Sequence, residues 1–313
     1  MPHDPALLSR RHALRCVVAG AAGTLFTLSG GVLTPTDLAV AKESGKPSGK
    51  PSGKPLFVQI SDTHIGFHKE ANPDPAGTLT RSIELVNGLA DQPALILHTG
   101  DMTHLSKPEQ FDQVQALLSD LRTRELHTTP GEHDVIDDDK TEYFRRFGSH
   151  SDNRGYYSFD VDGVHFVALT NVLLTAEGGM GKLGEEQLAW AHSDLHGRSA
   201  STPIVVFAHM PLWSVYEPWG WGTVDAAPLV TDLRRFGSVT VLNGHIHQIV
   251  QKTEGHITFH TARSTAFPQP APGEGPGPGP LKVPGERLAQ MLGVTSVSHR
   301  HAKHLELEDR SLG

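Results

Sequence analysis

One run in the first third of the chain reads Ala94-Leu95-Ile96-Leu97-His98-Thr99-Gly100-Asp101-Met102-Thr103-His104. Its apolar first half is typical of a buried parallel strand. Gly100 then permits a sharp turn, because it has no side chain. Asp101 follows, so its carboxylate lies just beyond the carboxyl end of the strand, where open α/β sheets bind their ligands. By itself, a glycine and an aspartate after a strand more often mark a simple turn.

Four other strand-like runs also end in residue types that bind metal ions. They are residues 56–60, followed by Asp62 and His64; residues 126–130, followed by Glu132, His133 and Asp134; residues 204–208, followed by His209; and residues 239–242, followed by His245 and His247. One such ending is ordinary, but five strand ends that all supply aspartate, glutamate or histidine are hard to explain by chance. Imidazole and carboxylate groups are common ligands of catalytic metal ions. The sequence therefore predicts a metal site.

The spacing of apolar residues between these runs predicts helices. We expect them at about residues 79–89, 108–121, 141–147, 185–195 and 226–236. Asp162-Gly163 and Glu254-Gly255 are typical of the turns in two β-hairpins. Parallel βα units mixed with hairpins predict an α/β fold in which two packed mixed β-sheets are flanked by helices. Ligands from both sheets then converge at a common edge.

The first segment, residues 1–41, resembles an export signal. Arg10 and Arg11 precede an apolar stretch at residues 16–33, and Ala39-Val40-Ala41 provides a cleavage site of small residues. The pattern resembles a twin-arginine signal, although Ala13 stands where that signal usually has phenylalanine. A membrane anchor is the alternative, but glycines make the stretch only weakly apolar. We expect export by the twin-arginine machinery to the periplasm or another extracytoplasmic space, with no membrane contact in the mature protein.

A linker, residues 42–55, separates this signal from a domain that spans residues 56–313. Its Ser-Gly-Lys-Pro units lack apolar side chains, which predicts a flexible spacer. Proline and glycine dominate residues 268–280, which predicts an irregular loop within the domain. The segment after Val297 is expected to be a solvated tail. It contains His299, His301 and His304.

The length and composition of the chain limit its partners, its disulfide bonds and its number of domains. A net charge of −8 argues against a nucleic-acid backbone as a stable partner. The single cysteine, Cys16, precludes an internal disulfide. A chain of 313 residues is long enough to bury a full core in one domain, or at most two.

Taken together, the five strand endings resemble the motifs of the calcineurin-like metallophosphoesterase superfamily. They occur in the family's order over residues 56–264. The resemblance implies a four-layer sandwich of helices and two sheets, and an enzyme that hydrolyses phosphate esters with two divalent or mixed-valence metal ions. Such a pair of cations neutralises the phosphoryl oxygens, activates a water and holds the phosphoryl group in line.

The resemblance also assigns roles to nine side chains. One ion would bind Asp62, His64 and His247, the other would bind Glu132, His209 and His245, and Asp101 would bridge the two. The nucleophile would be a metal-bound hydroxide. His133 would protonate the leaving oxygen or stabilise the transition state, and Asp134 would orient the His133 ring.

One position departs from the family's motif. Residues 131–134 would usually read Gly-Asn-His-Asp or Gly-Asn-His-Glu, but Glu132 stands in place of the asparagine. The added negative charge is expected to favour Mn²⁺ or iron over Zn²⁺ alone. It is also expected to weaken the binding of a dianionic monoester more than that of a monoanionic diester. Alternatively, the Glu132 side chain turns away and leaves the second ion weakly bound or absent.

The expected function is hydrolysis of small phosphate esters, with phosphodiesters preferred. The first alternative is a phosphomonoesterase that acts on nucleotides, sugar phosphates or phosphoproteins. The second is a metal-binding scaffold without catalysis, although such relatives usually lack several ligands or the catalytic histidine.

The roles of two features stay open. The tryptophan-rich segment 213–221 is either a packed loop or an aromatic rim that stacks a leaving group, and His104 is either a loop residue or a contact for phosphate or a metal-bound water.

Overall fold

The computed structural model describes residues 25–29, 32–36, 55–136, 140–300 and 304–313. The predicted signal peptide and linker lie mostly outside these ranges. Within the predicted signal, the described residues form two short strands, Leu25–Ser29 and Val32–Thr36, which pair antiparallel. Among all described residues, no helix is both long and apolar enough to cross a membrane.

In chain order the strands are β1 (Leu25–Ser29), β2 (Val32–Thr36), β3 (Pro55–Ile60), β4 (Leu95–His98), β5 (Leu126–Thr128), β6 (Tyr157–Val161), β7 (Val164–Ala168), β8 (Leu174–Thr175), β9 (Gly181–Lys182), β10 (Ile204–Phe207), β11 (Val239–Asn243), β12 (Gln251–Glu254), β13 (Ile257–Thr261), β14 (Gly293–Arg300) and β15 (His304–Ser311). The α-helices are α1 (Pro75–Asn87), α2 (Pro108–Leu118), α3 (Thr141–Phe147), α4 (Glu185–Leu195), α5 (Ala227–Leu233) and α6 (Gly285–Met291). Helices α3 and α4 have the predicted bounds. Helix α5 ends at Leu233 rather than at residue 236.

A five-stranded sheet forms one half of the fold, in the order β15-β14-β3-β4-β5. Strands β3, β4 and β5 are parallel, whereas β14 pairs antiparallel with β3, and β15 with β14. Strands β3 and β4 are buried along almost their whole length, as expected for parallel strands that are covered on both faces. Helices α1 and α2 cover one face, where Leu79 and Phe111 pack in one cluster with Ile96.

A six-stranded sheet forms the other half, in the order β12-β13-β11-β10-β7-β6. Its four central strands are parallel, and β12 and β6 pair antiparallel at the two edges. These edge pairs confirm the two hairpins that the sequence predicts. Helices α4 and α5 cover the outer face, where Leu195 and Leu233 pack in one cluster with Val206.

The two sheets pack face to face around a shared core. That core includes Phe57, Leu95, Leu97, Phe166 and Phe207. The rings of Phe57 and Phe166, from opposite sheets, meet edge-on with their centroids 5.5 Å apart. The layers therefore run helices, sheet, sheet, helices. This order confirms the predicted α/β class, two packed mixed sheets flanked by helices.

The predicted solvated tail after Val297 is wrong. Strands β14 and β15 form a hairpin that extends the five-stranded sheet. Val297 is fully buried, and Leu305 and Leu307 pack against the core between the sheets. Apolar and polar residues alternate in this segment, which is typical of a strand with one buried face. Of the three histidines predicted in the tail, His301 lies outside the described residues.

Candidate metal centre

All seven predicted metal ligands follow the carboxyl ends of parallel strands. Asp62 and His64 follow β3, Asp101 follows β4, Glu132 follows β5, His209 follows β10, and His245 and His247 follow β11. The backbone amide of His245 donates a hydrogen bond of 3.0 Å to Asp62 Oδ1, so the ends of β11 and β3 meet across the two sheets. The structure thus brings the seven side chains to one edge of the sandwich.

Asp62, His64 and His247 form the first group of donor atoms. These atoms lie within 4.8 Å of one another. His247 Nε2 is 3.2 Å from His64 Nε2 and 3.3 Å from Asp62 Oδ1. All three side chains are buried. This is the set that the sequence predicts for one ion.

Glu132, His209 and His245 form the second group, with their donor atoms again within 4.8 Å of one another. Glu132 Oε1 is 2.9 Å from His245 Nδ1, and Glu132 Oε2 is 2.8 Å from His209 Nε2. The Glu132 carboxylate therefore faces both imidazoles. The alternative in which it turns away is not the arrangement in the structure.

Asp101 lies between the two groups. Its Oδ2 atom is 3.4 Å from His64 Nε2 in the first group and 3.4 Å from His209 Nε2 in the second. Its Oδ1 atom accepts a hydrogen bond of 2.9 Å from the backbone amide of His133. A carboxylate in this position is placed to contact two ions at once.

Several of these buried donor atoms make no well-aligned hydrogen bond, although Glu132 lies 2.8 and 2.9 Å from the two imidazoles. They are Glu132 Oε2, His209 Nε2 and both ring nitrogens of His245. A buried polar atom with no partner costs free energy, so these atoms fit a bound cation better than a closed hydrogen-bond network. Two ligand atoms that each lie ~2.1 Å from one ion, at right angles, are about 3.0 Å apart. That separation is close to those in both groups, so the residues present fit a pair of divalent cations.

Main-chain carbonyl groups fix the tautomers of two of the histidines. His209 Nδ1 lies 2.7 Å from the Thr99 carbonyl oxygen, and His247 Nδ1 lies 2.6 Å from the Phe267 carbonyl oxygen. Because a carbonyl oxygen only accepts, each ring carries its proton on Nδ1. The Nε2 atom of each ring then keeps a lone pair for a metal ion.

The backbone is left-handed at most of these ligands. Positive φ angles occur at Asp62 (54°), His64 (41°), Asp101 (52°), His245 (69°) and His247 (54°). Outside glycine this conformation costs about 1–3 kcal/mol per residue, although aspartate and histidine adopt it more readily than most residues. Backbone strain at five ligands indicates that the turns after the strands place the ligand side chains at a cost in stability.

Two glycines let the ligand loops approach each other. Gly100 has a φ of 92°, which only glycine adopts without strain. A side chain at Gly131 would overlap with Asp101, at both its backbone nitrogen and its Oδ1 atom. The glycines before Asp101 and Glu132 therefore allow close packing in addition to a turn.

A family model described as calcineurin-like phosphoesterase matches residues 55–249, a range that contains every predicted ligand. The chain belongs to the calcineurin-like phosphoesterase family. Membership of this family, together with the two groups of donor atoms, identifies it as a metal-dependent hydrolase of phosphoric esters.

Two relatives and two solved structures show how far this phosphoesterase resembles known proteins. A glycerophosphodiester phosphodiesterase from Enterobacter lignolyticus is 26% identical over 271 residues, which cover 79% of this chain and 91% of the relative. A probable cyclic nucleotide phosphodiesterase from Rhodococcus erythropolis is 22% identical over 229 residues, which cover 68% of this chain and 72% of the relative. A dimetal phosphatase from Danio rerio has a TM-score of 0.63 at 14% identity, covering 83% of this chain and 98% of that structure. A purple acid phosphatase from yellow lupin has a TM-score of 0.60 at 13% identity, and the match covers 82% of this chain and 51% of that structure. The two structures establish the fold.

Charges within the phosphoesterase site shift the pKa values of its groups. Burial raises the pKa of the Glu132 carboxyl, but the charges of His245 and His209 outweigh burial and hold it well below its ordinary value. Burial lowers the pKa of His209, but the carboxylates of Asp101 and Glu132 outweigh it and hold that pKa well above its ordinary value. Both shifts come from the attraction between carboxylates and imidazoles that lie close together, and bound cations would take the place of that attraction.

His133, the predicted acid, lies beside the ligands. One of its ring nitrogens is within 4.8 Å of carboxylate oxygens of Asp101 and Glu132. Its Nδ1 atom donates a hydrogen bond of 2.8 Å to the His104 carbonyl oxygen, so Nε2 is the atom available to a substrate. Burial lowers the pKa of His133, but those two carboxylates outweigh burial and raise it above its ordinary value. A raised pKa suits a ring that donates a proton to a leaving oxygen.

The predicted contact between Asp134 and the His133 ring is wrong. The buried Asp134 carboxylate accepts hydrogen bonds from the backbone amides of Met102 (3.0 Å), Thr103 (2.8 Å) and Gly131 (3.1 Å), and from the Thr103 hydroxyl (3.1 Å). These donors occupy both carboxylate oxygens, and a main-chain carbonyl group holds the His133 ring instead. Asp134 therefore ties the loop after β4 to the loop after β5, and so positions the ligands that those loops carry.

The sequence interpretation missed how asparagines hold the ends of β10 and β11. Asn243 Nδ2 donates to the carbonyl oxygens of Ala208 (2.9 Å) and Met210 (2.8 Å), on either side of His209. Asn171 Nδ2 donates to the same Met210 carbonyl oxygen at 2.8 Å. Asn243 is the last residue of β11, and its position just before Gly244 and the two ligand histidines was the available signal. Nothing in the sequence marks Asn171.

The tryptophan-rich segment 213–221 is mainly a packed loop. Trp221 is 1% exposed and lies in one cluster with Ile246, which stands between the two histidines of the last ligand block. Trp213 packs against a phenylalanine of β13, with ring centroids 5.1 Å apart. Trp219 stays partly exposed. The segment thus supports the backbone of the last ligand block.

The Pro/Gly-rich loop, residues 268–280, lies beside the site and contains neither helix nor strand, as predicted. Gln269 Nε2 donates a hydrogen bond of 2.9 Å to the His245 carbonyl oxygen. A cavity of about 320 Å³ borders the loop, and His247 forms part of its wall. The loop therefore braces the last ligand block.

Proposed function

We propose that the protein is an exported phosphodiesterase that hydrolyses small phosphodiesters with two ions of manganese or iron. The position of Glu132 is the observation that carries the diester preference. Its carboxylate lies within hydrogen-bond distance of two imidazoles of the ligand set, where the family motif usually has a neutral asparagine.

Glu132 would reduce the positive charge that two bound ions give the site, which favours a monoanionic substrate. Three carboxylates belong to the predicted ligand set: Asp62, Asp101 and Glu132. A phosphomonoester brings two negative charges near neutral pH, whereas a phosphodiester brings one. Two unit charges 4 Å apart interact by about 4 kcal/mol at an effective dielectric constant of 20. Even a fraction of that energy is enough for the Glu132 carboxylate to discriminate against the second charge of a monoester.

The relatives support the same proposal. The Enterobacter lignolyticus and Rhodococcus erythropolis proteins are both named as phosphodiesterases. A Danio rerio relative named as a serine/threonine-protein phosphatase, 25% identical over 217 residues, supports the phosphomonoesterase alternative. The Glu132 carboxylate supports the diester over the monoester.

The chain's own residues have separate tasks in this reaction. Two bound ions would neutralise the phosphoryl charge and activate a water. Asp101, between the two groups of ligands, would hold the ions at a fixed separation. His133 would donate a proton from Nε2 to the leaving oxygen, while the His104 carbonyl oxygen keeps its ring oriented through Nδ1.

The donor set supports manganese or iron. It consists of imidazole nitrogens and carboxylate oxygens, with no thiolate among the described residues of the site. Imidazole suits iron and zinc alike, whereas carboxylates suit Mn²⁺, so the carboxylates carry the preference for manganese or iron over zinc alone. The additional carboxylate of Glu132 also favours the ion with the stronger preference for oxygen.

Replacement of Glu132 by asparagine tests the diester preference. The Glu132→Asn variant removes one negative charge, so we expect the ratio of monoester to diester hydrolysis, each measured as kcat/KM, to rise by about tenfold. The substrates are p-nitrophenyl phosphate and bis-(p-nitrophenyl) phosphate, with enzyme reloaded with Mn²⁺. The exposed Glu84 of α1 gives a matched control, because Glu84→Asn removes the same charge far from the site.

The possible outcomes separate the alternatives. A wild-type enzyme that prefers the monoester would overturn the diester proposal and favour the phosphomonoesterase. An unchanged ratio in Glu132→Asn would show that this carboxylate does not select the substrate. No turnover with any metal, although two ions bind, would support the scaffold.

The proposed export rests on the paired arginines and the small residues that end at Ala41. We expect a variant with Arg10→Lys and Arg11→Lys to accumulate as an uncleaved precursor in the cytoplasmic fraction of a bacterial host. The wild-type protein is expected outside the cytoplasm with its mature terminus after Ala41, as read by mass spectrometry. Equal export of both proteins would contradict the twin-arginine route, and an uncleaved exported protein would contradict the cleavage site.

A further inference from the structure

The His104 side chain lies between a predicted metal ligand and the predicted acid. Its Nδ1 atom is 3.3 Å from His64 Nδ1, and its ring stacks on that of His133 with centroids 4.9 Å apart and an interplanar angle of 14°. We infer that His104 is a positioning residue, which accepts a hydrogen bond from His64 Nδ1 and thereby prepares His64 Nε2 to bind a metal ion.

The geometry of His64 determines the direction of this hydrogen bond. His64 Nε2 faces the site, because it is 3.2 Å from His247 Nε2 and 3.4 Å from Asp101 Oδ2. A ring nitrogen that binds a metal carries no proton, so the proton of a neutral His64 lies on Nδ1. That proton points to His104 Nδ1, which must then be the acceptor. His104 in turn carries its own proton on Nε2.

The surroundings of His104 keep its ring in place. Its backbone amide donates a hydrogen bond of 3.0 Å to the Ile65 carbonyl oxygen. The ring meets Phe67 edge-on, with centroids 5.2 Å apart and an interplanar angle of 85°. Stacking on His133 restricts the other side. An acceptor fixed in this way sets both the tautomer and the rotation of the His64 ring.

His64 differs in this respect from two other ligands in the set. His209 and His247 each donate to a main-chain carbonyl oxygen, which every residue type provides. His64 instead depends on the side chain of one residue. A substitution at His104 therefore removes the partner of His64 and leaves the partners of His209 and His247 unchanged.

The consequence is selective for one of the two metal positions. Partners of a ligand histidine typically contribute 10- to 100-fold to metal affinity. A variant that lacks the acceptor should bind the ion at Asp62, His64 and His247 about 10- to 100-fold less tightly. Its affinity for the ion at Glu132, His209 and His245 should be nearly unchanged. This inference rests on the two-metal site and is independent of the choice between diester and monoester.

Three substitutions at His104 separate a hydrogen-bond role from simple packing. In His104→Asn the amide oxygen takes approximately the place of Nδ1, whereas His104→Gln places its amide near the position of Nε2 and His104→Leu has no acceptor. Dissociation constants for both ions would be measured by competition with a chelator, with Mn²⁺ as the metal. We expect the Leu and Gln variants to bind one of the two ions more weakly, and the Asn variant to keep the wild-type affinity for both. Equal weakening in Asn and Leu, or unchanged affinity in Leu, would overturn the inference.

A spectroscopic measurement on the wild-type protein gives a second test that needs no variant to fold. Two-bond ¹H–¹⁵N correlation spectra of the Zn²⁺-loaded protein report which ring nitrogen of each histidine carries a proton. We expect His104 with its proton on Nε2 and a bare Nδ1. A proton on His104 Nδ1 would overturn the inference. Since neither measurement uses turnover, a failed hydrolysis assay would count against the proposed function alone.

Discussion

The Asp101→Asn variant is expected to lose both metal ions and almost all activity. Asp101 Oδ2 lies 3.4 Å from a histidine of each ligand group, so an amide there removes the one charged oxygen that both ions would share. A metal pair lowers the barrier of phosphoryl transfer by several kcal/mol. We therefore expect kcat to fall by on the order of 10³-fold or more. Metal content by atomic emission and turnover of bis-(p-nitrophenyl) phosphate would be measured on the same sample.

The exposed Asp91 provides the control for this substitution. Asp91→Asn makes the same chemical change outside the site and should leave both metal content and turnover at wild-type values. If Asp101→Asn retained two ions and at least a tenth of the wild-type kcat, Asp101 would not be a bridging ligand.

The His133→Asn variant is expected to keep both ions and lose turnover. His133 is the predicted proton donor, and general acid catalysis contributes typically 10²- to 10⁴-fold. We expect kcat to fall by about that amount for an ester with an alkoxide leaving group. The loss should be smaller for a p-nitrophenyl ester, because p-nitrophenolate leaves readily without a proton. To measure this difference, kcat would be compared between the ester with an alkoxide leaving group and the p-nitrophenyl ester at one metal loading.

His192, on helix α4 and 63% exposed at its side chain, is the matched control, and His192→Asn should change neither quantity. The same fall in kcat for both leaving groups would assign His133 to transition-state stabilisation rather than to proton donation. Unaffected turnover of both substrates would mean that His133 takes no part in the reaction.

The ligands were predictable because each one stands directly after an apolar run. In parallel sheets the carboxyl ends of the strands meet at one edge, so Asp62, Asp101 and His209 converge once the strands are recognised. Helices α1 and α2 were predictable because most of their buried residues are apolar and recur at helical spacing. The side-chain types and their order along the chain thus indicated both the fold class and the set of residues at the site.

The contacts that orient the ligands were not predictable. Thr99 and Phe267 hold His209 and His247 through carbonyl oxygens, and every residue type carries that group. The partner of a main-chain carbonyl group depends on where distant segments meet. No local pattern in the sequence contains that information.

The two errors have a common physical origin. Asp134 lies in a short 3₁₀ turn, Glu132–Asp134, which directs its carboxylate to backbone amides rather than to the neighbouring ring. The segment after Val297 contains histidines that suggest a polar tail, yet Leu305 and Leu307 alternate with acidic residues and pack against the core. In both cases tertiary contacts decided between local alternatives.

Titration of metal-free mature protein with Mn²⁺ tests most directly whether this is a two-metal hydrolase. Bound metal and hydrolysis of bis-(p-nitrophenyl) phosphate would be measured on the same samples. Two groups of donor atoms joined by Asp101 predict that two equivalents bind and that turnover rises with the second. A single bound equivalent, full turnover before the second ion binds, or two bound ions without turnover of any phosphate ester would contradict a two-metal mechanism.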